Sequence, residues 1–145
     1  MHFLPATSAM IKRYIREEQS DRVHDLLDAR DAVIFAGQLV RTELASALGR
    51  RVREASISQE QAGVLMRRYL AEERRDYNAI ALTEQIQFTA ERLLFRHALR
   101  AADAVHVANA LELRVSIAEP LVFLTADRRQ ADAAEAEGLA VEFVG

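Results

Sequence analysis

The chain contains no cysteine. That excludes a disulfide framework, a thiol nucleophile and a cysteine-based zinc site. Any metal here is held by oxygen or imidazole. Only two prolines and five glycines punctuate its 145 residues, a scarcity that favours helices joined by short turns. Lysine is nearly absent: Lys12 is the only one, and 18 of the 19 basic residues are arginines. The planar guanidinium fork suits phosphate and carboxylate, although codon bias in a GC-rich genome is the simpler explanation. The net charge of −3 excludes nucleic-acid binding by overall charge. No run approaches the ~20 apolar residues of a membrane span. The apolar start, Met1 to Pro5, is short and is followed rather than preceded by Lys12, Arg13 and Arg16, unlike a secretory signal. A cytoplasmic protein with no membrane contact is expected. Neither GxGxxG nor GxxxxGK[ST] occurs, so a nucleotide kinase or NTPase is not expected.

What is present is ordinary for a folded protein: 50% hydrophobic and 28% charged residues. The length predicts a single domain over residues 1–145, which at this size buries about 68–70% of its unfolded surface. Residues 2–6 read as a buried strand. Thr7 and Ser8 offer hydroxyls to cap a helix over residues 9–18. A second helix is expected from Ser20 to about Ala29, and a second strand over residues 32–36, broken by Gly37. Residues 38–53 carry apolar side chains at helical spacing. Ser58 and Gln61 form a capping-box pattern that opens another amphipathic helix. Residues 79–82 read as a weaker third strand, and Thr83 caps a helix to about Ala98. A helix from Ala101 to about Leu113, a strand over residues 121–124, an Ala-rich helix ending at Gly138 and an edge strand over residues 141–144 complete the chain. Short apolar strands alternating with helices imply a parallel sheet covered on both faces. The expected fold is α/β, a helix-rich three-layer α/β/α sandwich around a short parallel sheet. The apolar stripes over residues 38–53 and 58–75 exceed what one small core buries, which implies self-association.

In such sheets ligands bind beyond the carboxyl ends of the strands. Three carboxylates stand in segments leading from those ends: Glu43, Asp103 and Asp127. An ionised carboxylate on a buried helix face is costly unless paired or bound to a cation. Each has an ordinary alternative. Asp127 can cap the following helix, Asp103 can pair with Arg100 or His106, and Glu43 can pair with Arg50 or Arg41. Together they suit a hard cation such as Mg²⁺ or Mn²⁺, which prefers carboxylate and water oxygens. His106 reads as a packing residue. His2, His24 and His97 have no metal-ligand spacing.

The chain resembles the PIN-domain nucleases, and among them the VapC-type toxins of bacterial toxin–antitoxin pairs. The resemblance spans essentially the whole chain. Its carriers are Thr7-Ser8-Ala9 running into Ile11-Lys12-Arg13-Tyr14, then Thr42-Glu43-Leu44-Ala45, the stretch from His97 through Asp103 to Ala108, and Phe123-Leu124-Thr125-Ala126-Asp127-Arg128-Arg129. It implies a PIN-like fold and a Mg²⁺- or Mn²⁺-dependent endoribonuclease that leaves 3′-hydroxyl and 5′-phosphate ends. It further implies a homodimer, an RNA substrate and a cognate antitoxin. The family's acidic cluster maps onto Glu43, Asp103 and Asp127 as metal ligands and catalytic groups, with Thr7, Ser8 and Thr125 in support.

One position departs. The family's first acidic residue ends the first strand immediately before the Thr-Ser pair, and here that residue is Ala6. Three of four expected carboxylates remain, so the resemblance implies an impaired nuclease. Ala6 is either a natural change or an engineered Asp→Ala substitution protecting the host from an active RNase; the intact remainder of the motif favours the second. If the change is natural, the chain is a degenerate PIN domain that binds RNA or antitoxin without cutting.

Overall fold

The computed structural model describes all 145 residues. The chain runs β1 (His2–Pro5), α1 (Thr7–Met10) with a 3₁₀ turn at Ile11–Arg13, α2 (Ser20–Leu27), β2 (Val33–Gly37), α3 (Leu39–Arg53) and α4 (Gln59–Asp76). It continues through β3 (Tyr77–Ile80), α5 (Glu84–Arg96), α6 (Ala101–Ser116), β4 (Leu121–Thr125), α7 (Arg128–Ala136) and β5 (Ala140–Phe143). The five strands form one sheet in the order β3-β2-β1-β4-β5. Every pairing is parallel, so β1 sits at the centre, registered Phe3 to Ile34 on one side and Pro5 to Leu124 on the other.

Period-two alternation divides the core. Phe3 and Leu124 join Met10, Val23, Leu44 and Tyr69 on the face covered by α1 to α4. Leu4, Leu121 and Phe123 join Leu93, Val107 and Ala134 on the face covered by α5 to α7. This is the expected three-layer sandwich. The capping box at Ser58 and Gln61 is present, with bonds of 3.0 and 2.8 Å. The Thr83 cap is also present, and Gly138 adopts φ +80° just past α7.

Three expectations are corrected. The helix after β1 does not reach Glu18; it tightens into a 3₁₀ turn at Ile11 and ends at Arg13. The Lys12 ammonium donates to the Glu18 carbonyl at 2.7 Å and lies 3.4 Å from the Glu17 carboxylate. The chain therefore folds back around a buried lysine, and Gln19 takes φ +64° before α2. Thr7 and Ser8 do not cap this helix. Its N-cap is Ala6, whose carbonyl accepts from Ala9 and Met10, and the two hydroxyls bond to other elements. The third strand lies at Tyr77–Ile80, two residues before its expected position, because α4 runs directly into it and buried Tyr77 pairs with Ile34. Gly37 stops β2 as expected, as its last residue. A side chain at Gly37 would strike the Asn109 amide on α6, so glycine permits that close approach.

The apolar stripes of α3 and α4 are mostly covered by the fold itself, with Val40, Leu44, Leu48 and Tyr69 buried. The most exposed large apolar side chains stand instead on α5 and α6: Phe95 at 95%, Val115 at 83% and Phe88 at 57%. No helix is long and apolar enough to cross a membrane.

Candidate active site

The carboxyl ends of β1 and β4 lie side by side at the centre of the sheet, with the Ala6 amide donating to the Leu124 carbonyl at 2.8 Å. A cleft of about 520 Å³ opens above them. Glu43, Asp103 and Asp127 all line it, as do Ala6, Thr7, Ser8 and His106. Each carboxylate comes from a different helix. Glu43 is in the second turn of α3, Asp103 is in the first turn of α6, and Asp127 is the N-cap of α7. Negative charge at the starts of α6 and α7 also suits the helix dipole.

Two of the ordinary alternatives are realised alongside this convergence. Asp127 Oδ1 accepts from the Gln130 amide at 3.1 Å, a cap. Asp103 accepts from Arg100 Nε at 3.1 Å. Glu43 pairs with neither Arg50 nor Arg41; Arg41 bonds Glu73 instead. The Thr7 hydroxyl donates to Glu43 Oε1 at 2.9 Å, and His106 Nε2 contacts the same oxygen. Burial works against ionisation of Glu43. The hydrogen bond and charge of His106, the Thr7 hydroxyl and the nearby Arg100 outweigh it, so the carboxyl lies below the usual glutamate value. The Arg100 guanidinium is held in its charged form chiefly by the bond to Asp103, with further attraction from Asp127 and Glu43. One cation thus lies in the field of all three carboxylates.

Beneath the carboxylates runs a chain of hydroxyls and amides. Ser8 Oγ lies 3.2 Å from Thr125 Oγ1 and accepts from the Ala126 amide at 3.0 Å. Thr125 Oγ1 accepts from the Asp127 amide at 3.0 Å and donates to Gln130 Oε1 at 2.6 Å. Gln130 Nε2 reaches the Asp103 carbonyl at 3.1 Å. This chain ties α1, β4, α6 and α7 into one frame, and Thr125 and Gln130 are both buried.

Sequence reading missed two residues of this site. Gln130 carried one signal, a polar side chain three residues after a capping aspartate. His106 was assigned to packing. It is buried, as expected, but its ring faces Glu43 and the cleft.

The same cleft is also lined by basic side chains, Arg50 and Arg51 on α3 about two turns after Glu43, and Lys12 on the 3₁₀ turn. Lys12 and Arg51 both contact Glu17, two cations on one carboxylate, and exposed Arg50 stands beside them.

The donor set bears on whether a divalent cation fits. The three carboxylates are hard oxygen ligands, but Ala6 offers only a methyl group. No three His, Asp or Glu side chains are grouped closely enough to hold a metal ion together. Mg²⁺ commonly keeps several waters and is held by one or two carboxylates plus substrate phosphates. The residues present fit such a loosely held, largely hydrated ion.

The PIN domain family model matches residues 4–136. The fold is similar to that of VapBC2 from Rickettsia felis bound to a DNA fragment from their promoter, at 14% identity and TM-score 0.70 over 100% of both chains. It is also similar to FitAcB from Neisseria gonorrhoeae, at 17% identity and TM-score 0.68 over 96% of this chain and 95% of that one. A toxin–antitoxin complex from Klebsiella pneumoniae matches at 16% identity and TM-score 0.61 over 88% of each chain. Comparison with the sequences of curated proteins gives no match.

Proposed function

The chain belongs to the PIN-domain family, and we propose that it is a VapC-type toxin, a metal-dependent endoribonuclease whose catalysis is impaired by Ala6. The observation that carries this reading is the convergence of Glu43, Asp103 and Asp127, from three helices, on one cleft at the carboxyl edge of the sheet.

Glu43, Asp103 and Asp127 line the cleft and would hold a largely hydrated Mg²⁺ or Mn²⁺, directly or through its waters. The ion would supply charge to neutralise phosphoryl oxygens and to acidify water. The chain's own residues do the rest. Thr7 and His106 fix one oxygen of Glu43. Ser8, Thr125 and Gln130 hold the backbone that presents Asp103 and Asp127. Exposed Arg50, beside Lys12 and Arg51 that share Glu17, gives the cleft a net positive patch next to the carboxylates, which suits RNA phosphates flanking the scissile bond. Arg100 tempers the charge of the acidic wall before substrate arrives. Three carboxylates and no fourth leave a divalent ion weakly held, and displacement of a reacting group by about 1 Å can cost about 10²-fold in rate.

The resemblance of the fold to toxin–antitoxin complexes supports a cognate antitoxin as partner. Phe88 and Phe95 on α5, with Val115 on α6, are the apolar side chains that support a homodimer. Ala6 itself favours one second reading, a degenerate PIN domain that binds RNA or antitoxin without cutting.

Ala6→Asp separates the two. The substituted protein should cut cellular RNA with Mg²⁺ or Mn²⁺ present at least about 100-fold faster than the present chain. The products should carry new 5′-phosphate ends, and EDTA should stop the reaction. An Ala6→Asp protein that produces no new 5′-phosphate ends leaves the binding module as the better reading.

A further inference from the structure

His106 on α6 occupies a place that packing alone would give to an apolar side chain. The residue is 1% exposed, and its Nδ1 is buried with no hydrogen-bond partner. A buried polar atom without a partner is destabilising, so packing alone does not account for an imidazole there. The other ring nitrogen does. Nε2 contacts Glu43 Oε1 and lies 3.3 Å from the Thr7 hydroxyl. An ionised carboxylate only accepts, so Nε2 carries the proton of that bond. Thr7 donates to the same oxygen. Two donors, one from α1 and one from α6, therefore fix Oε1, while no protein group donates to Oε2.

The ring is held from behind as well. Gly37, at the end of β2, has no side chain, which lets α6 close on the sheet. A Cβ at Gly37 would meet the Asn109 amide and would lie 3.9 Å from His106 Nδ1. The imidazole thus stands between the sheet and Glu43, with little room to turn.

We propose that His106 is a positioning residue: it locks the Glu43 side chain so that Oε2 is the oxygen presented to a cation in the cleft. This rests on the nuclease reading for its consequence, but the lock itself is a property of the chain as it stands. His106 touches neither substrate nor ion; it acts through Glu43.

Two substitutions in the Ala6→Asp protein distinguish positioning from packing. His106→Gln keeps an N–H donor at similar reach, whereas His106→Leu fills the volume and removes the donor. Mn²⁺ affinity, read by electron paramagnetic resonance, should fall about 10–100-fold in His106→Leu and stay within about threefold in His106→Gln, the cost expected when the partner of a metal ligand is lost or kept. In RNA cleavage, His106→Leu should lower kcat and leave KM unchanged. Retention of Mn²⁺ affinity and kcat by a folded His106→Leu protein overturns the proposal. A second measurement uses the chain with Ala6 and needs no metal. The His106 Nε2 proton should be visible by NMR in slow exchange with water and should vanish in Glu43→Ala. Its absence from the parent, or its persistence in Glu43→Ala, also overturns the proposal. If the Ala6→Asp protein neither binds Mn²⁺ nor cuts RNA, the nuclease reading fails, and the NMR result still decides whether His106 holds Glu43.

Discussion

Two partly buried glutamates show the difference between a carboxylate that holds the fold and one that is available for chemistry. Glu72, on α4, has both oxygens occupied. Oε2 accepts from the Tyr14 hydroxyl at 2.6 Å and the Tyr77 hydroxyl at 3.0 Å, with Arg13 Nε at 3.4 Å, while Oε1 accepts from Arg68 Nε at 2.9 Å. Tyr69 packs edge-on against Tyr14, ring centroids 5.6 Å apart, and closes the cluster. Burial opposes ionisation of Glu72, but the hydrogen bonds from Tyr14, Arg68 and Tyr77 outweigh it and bring the carboxyl down to about 2. The same burial pushes the Tyr77 phenol up to about 12. Glu43 is also held below the usual value, yet its donors crowd onto one oxygen and leave the other facing a cleft. Glu72 spends its acceptor capacity tying the 3₁₀ turn, α4 and β3 together. Glu43 keeps half of its capacity unspent, beside two further carboxylates.

The largest expected effect sets the two against each other. In the Ala6→Asp protein, Glu43→Gln should reduce RNA cleavage at least about 100-fold, more than the 10–100-fold typical for losing a ligand's partner. Its thermal midpoint should hardly change, because Gln can still accept from Thr7 and His106. Glu72→Ala should do the reverse. It removes the acceptor shared by Tyr14, Tyr77 and Arg68, leaving the buried phenols only each other and Arg13 only Asp28, a cost of about 3 kcal/mol. That corresponds to a midpoint lower by about 6–12 °C for a chain of this size. Cleavage by the protein that remains folded should be unaffected. A Glu72→Ala protein that is as stable as its parent, or inactive while folded, breaks the comparison.

The pH dependence of stability should follow Glu72. Its folded value, about 2, lies below the ordinary glutamate value of about 4.3. A depressed carboxyl stabilises the fold fully above the unfolded value, and that contribution is lost as pH falls toward the folded value. The urea midpoint of the parent should therefore drop between about pH 5 and pH 2. The Glu72→Gln protein should start lower at pH 6 and lose less over that interval, so the two curves converge in acid. Parallel curves would mean that Glu72 is not held as described.

Much of this contrast was legible in the sequence on one side only. Residues 2–6 and 121–124 read as short apolar strands, and once they are strands, geometry alone sends Phe3 and Leu4, and Phe123 and Leu124, to opposite layers. Ser58 with Gln61, and Thr83 before its helix, are local hydrogen-bond patterns and could be read locally. Glu43, Asp103 and Asp127 stood out as carboxylates in segments leading from strand ends. The local partners of Asp103 and Asp127 were legible too, but the partners of Glu43 and the hold on the Asp103 backbone were not, because those lie far away in the chain. His106 is 63 residues from Glu43, and Gln130 is 27 residues from the carbonyl it holds. The short helix after β1 was misread for a similar reason. Lys12 reaches forward to the Glu18 carbonyl and the Glu17 carboxylate, a fold-back of the chain that helical spacing does not show. The third strand was placed late because Tyr77 is anchored by Glu72 and Ile34, neither of which the local pattern shows.

The smallest expected effect tests how completely Oε1 of Glu43 is fixed. Thr7→Val removes one of its two donors and keeps nearly the same shape. The lost bond is neutral donor to charged acceptor across 2.9 Å in a half-buried setting. A hydrogen bond to a charged group contributes about 1.5–3 kcal/mol, and partial exposure puts this one at the low end. At about 1.4 kcal/mol per factor of ten, cleavage by the Ala6→Asp protein should fall about tenfold. The loss is modest because His106 still donates to Oε1 from the buried side. Thr7→Val together with His106→Leu should therefore cost more than the product of the two single effects, since only the pair leaves Glu43 without a donor. Double-mutant kinetics on a single RNA substrate would measure this coupling. Independent effects would show that the two donors do not share one oxygen in solution, and that Glu43 differs from Glu72 only in exposure.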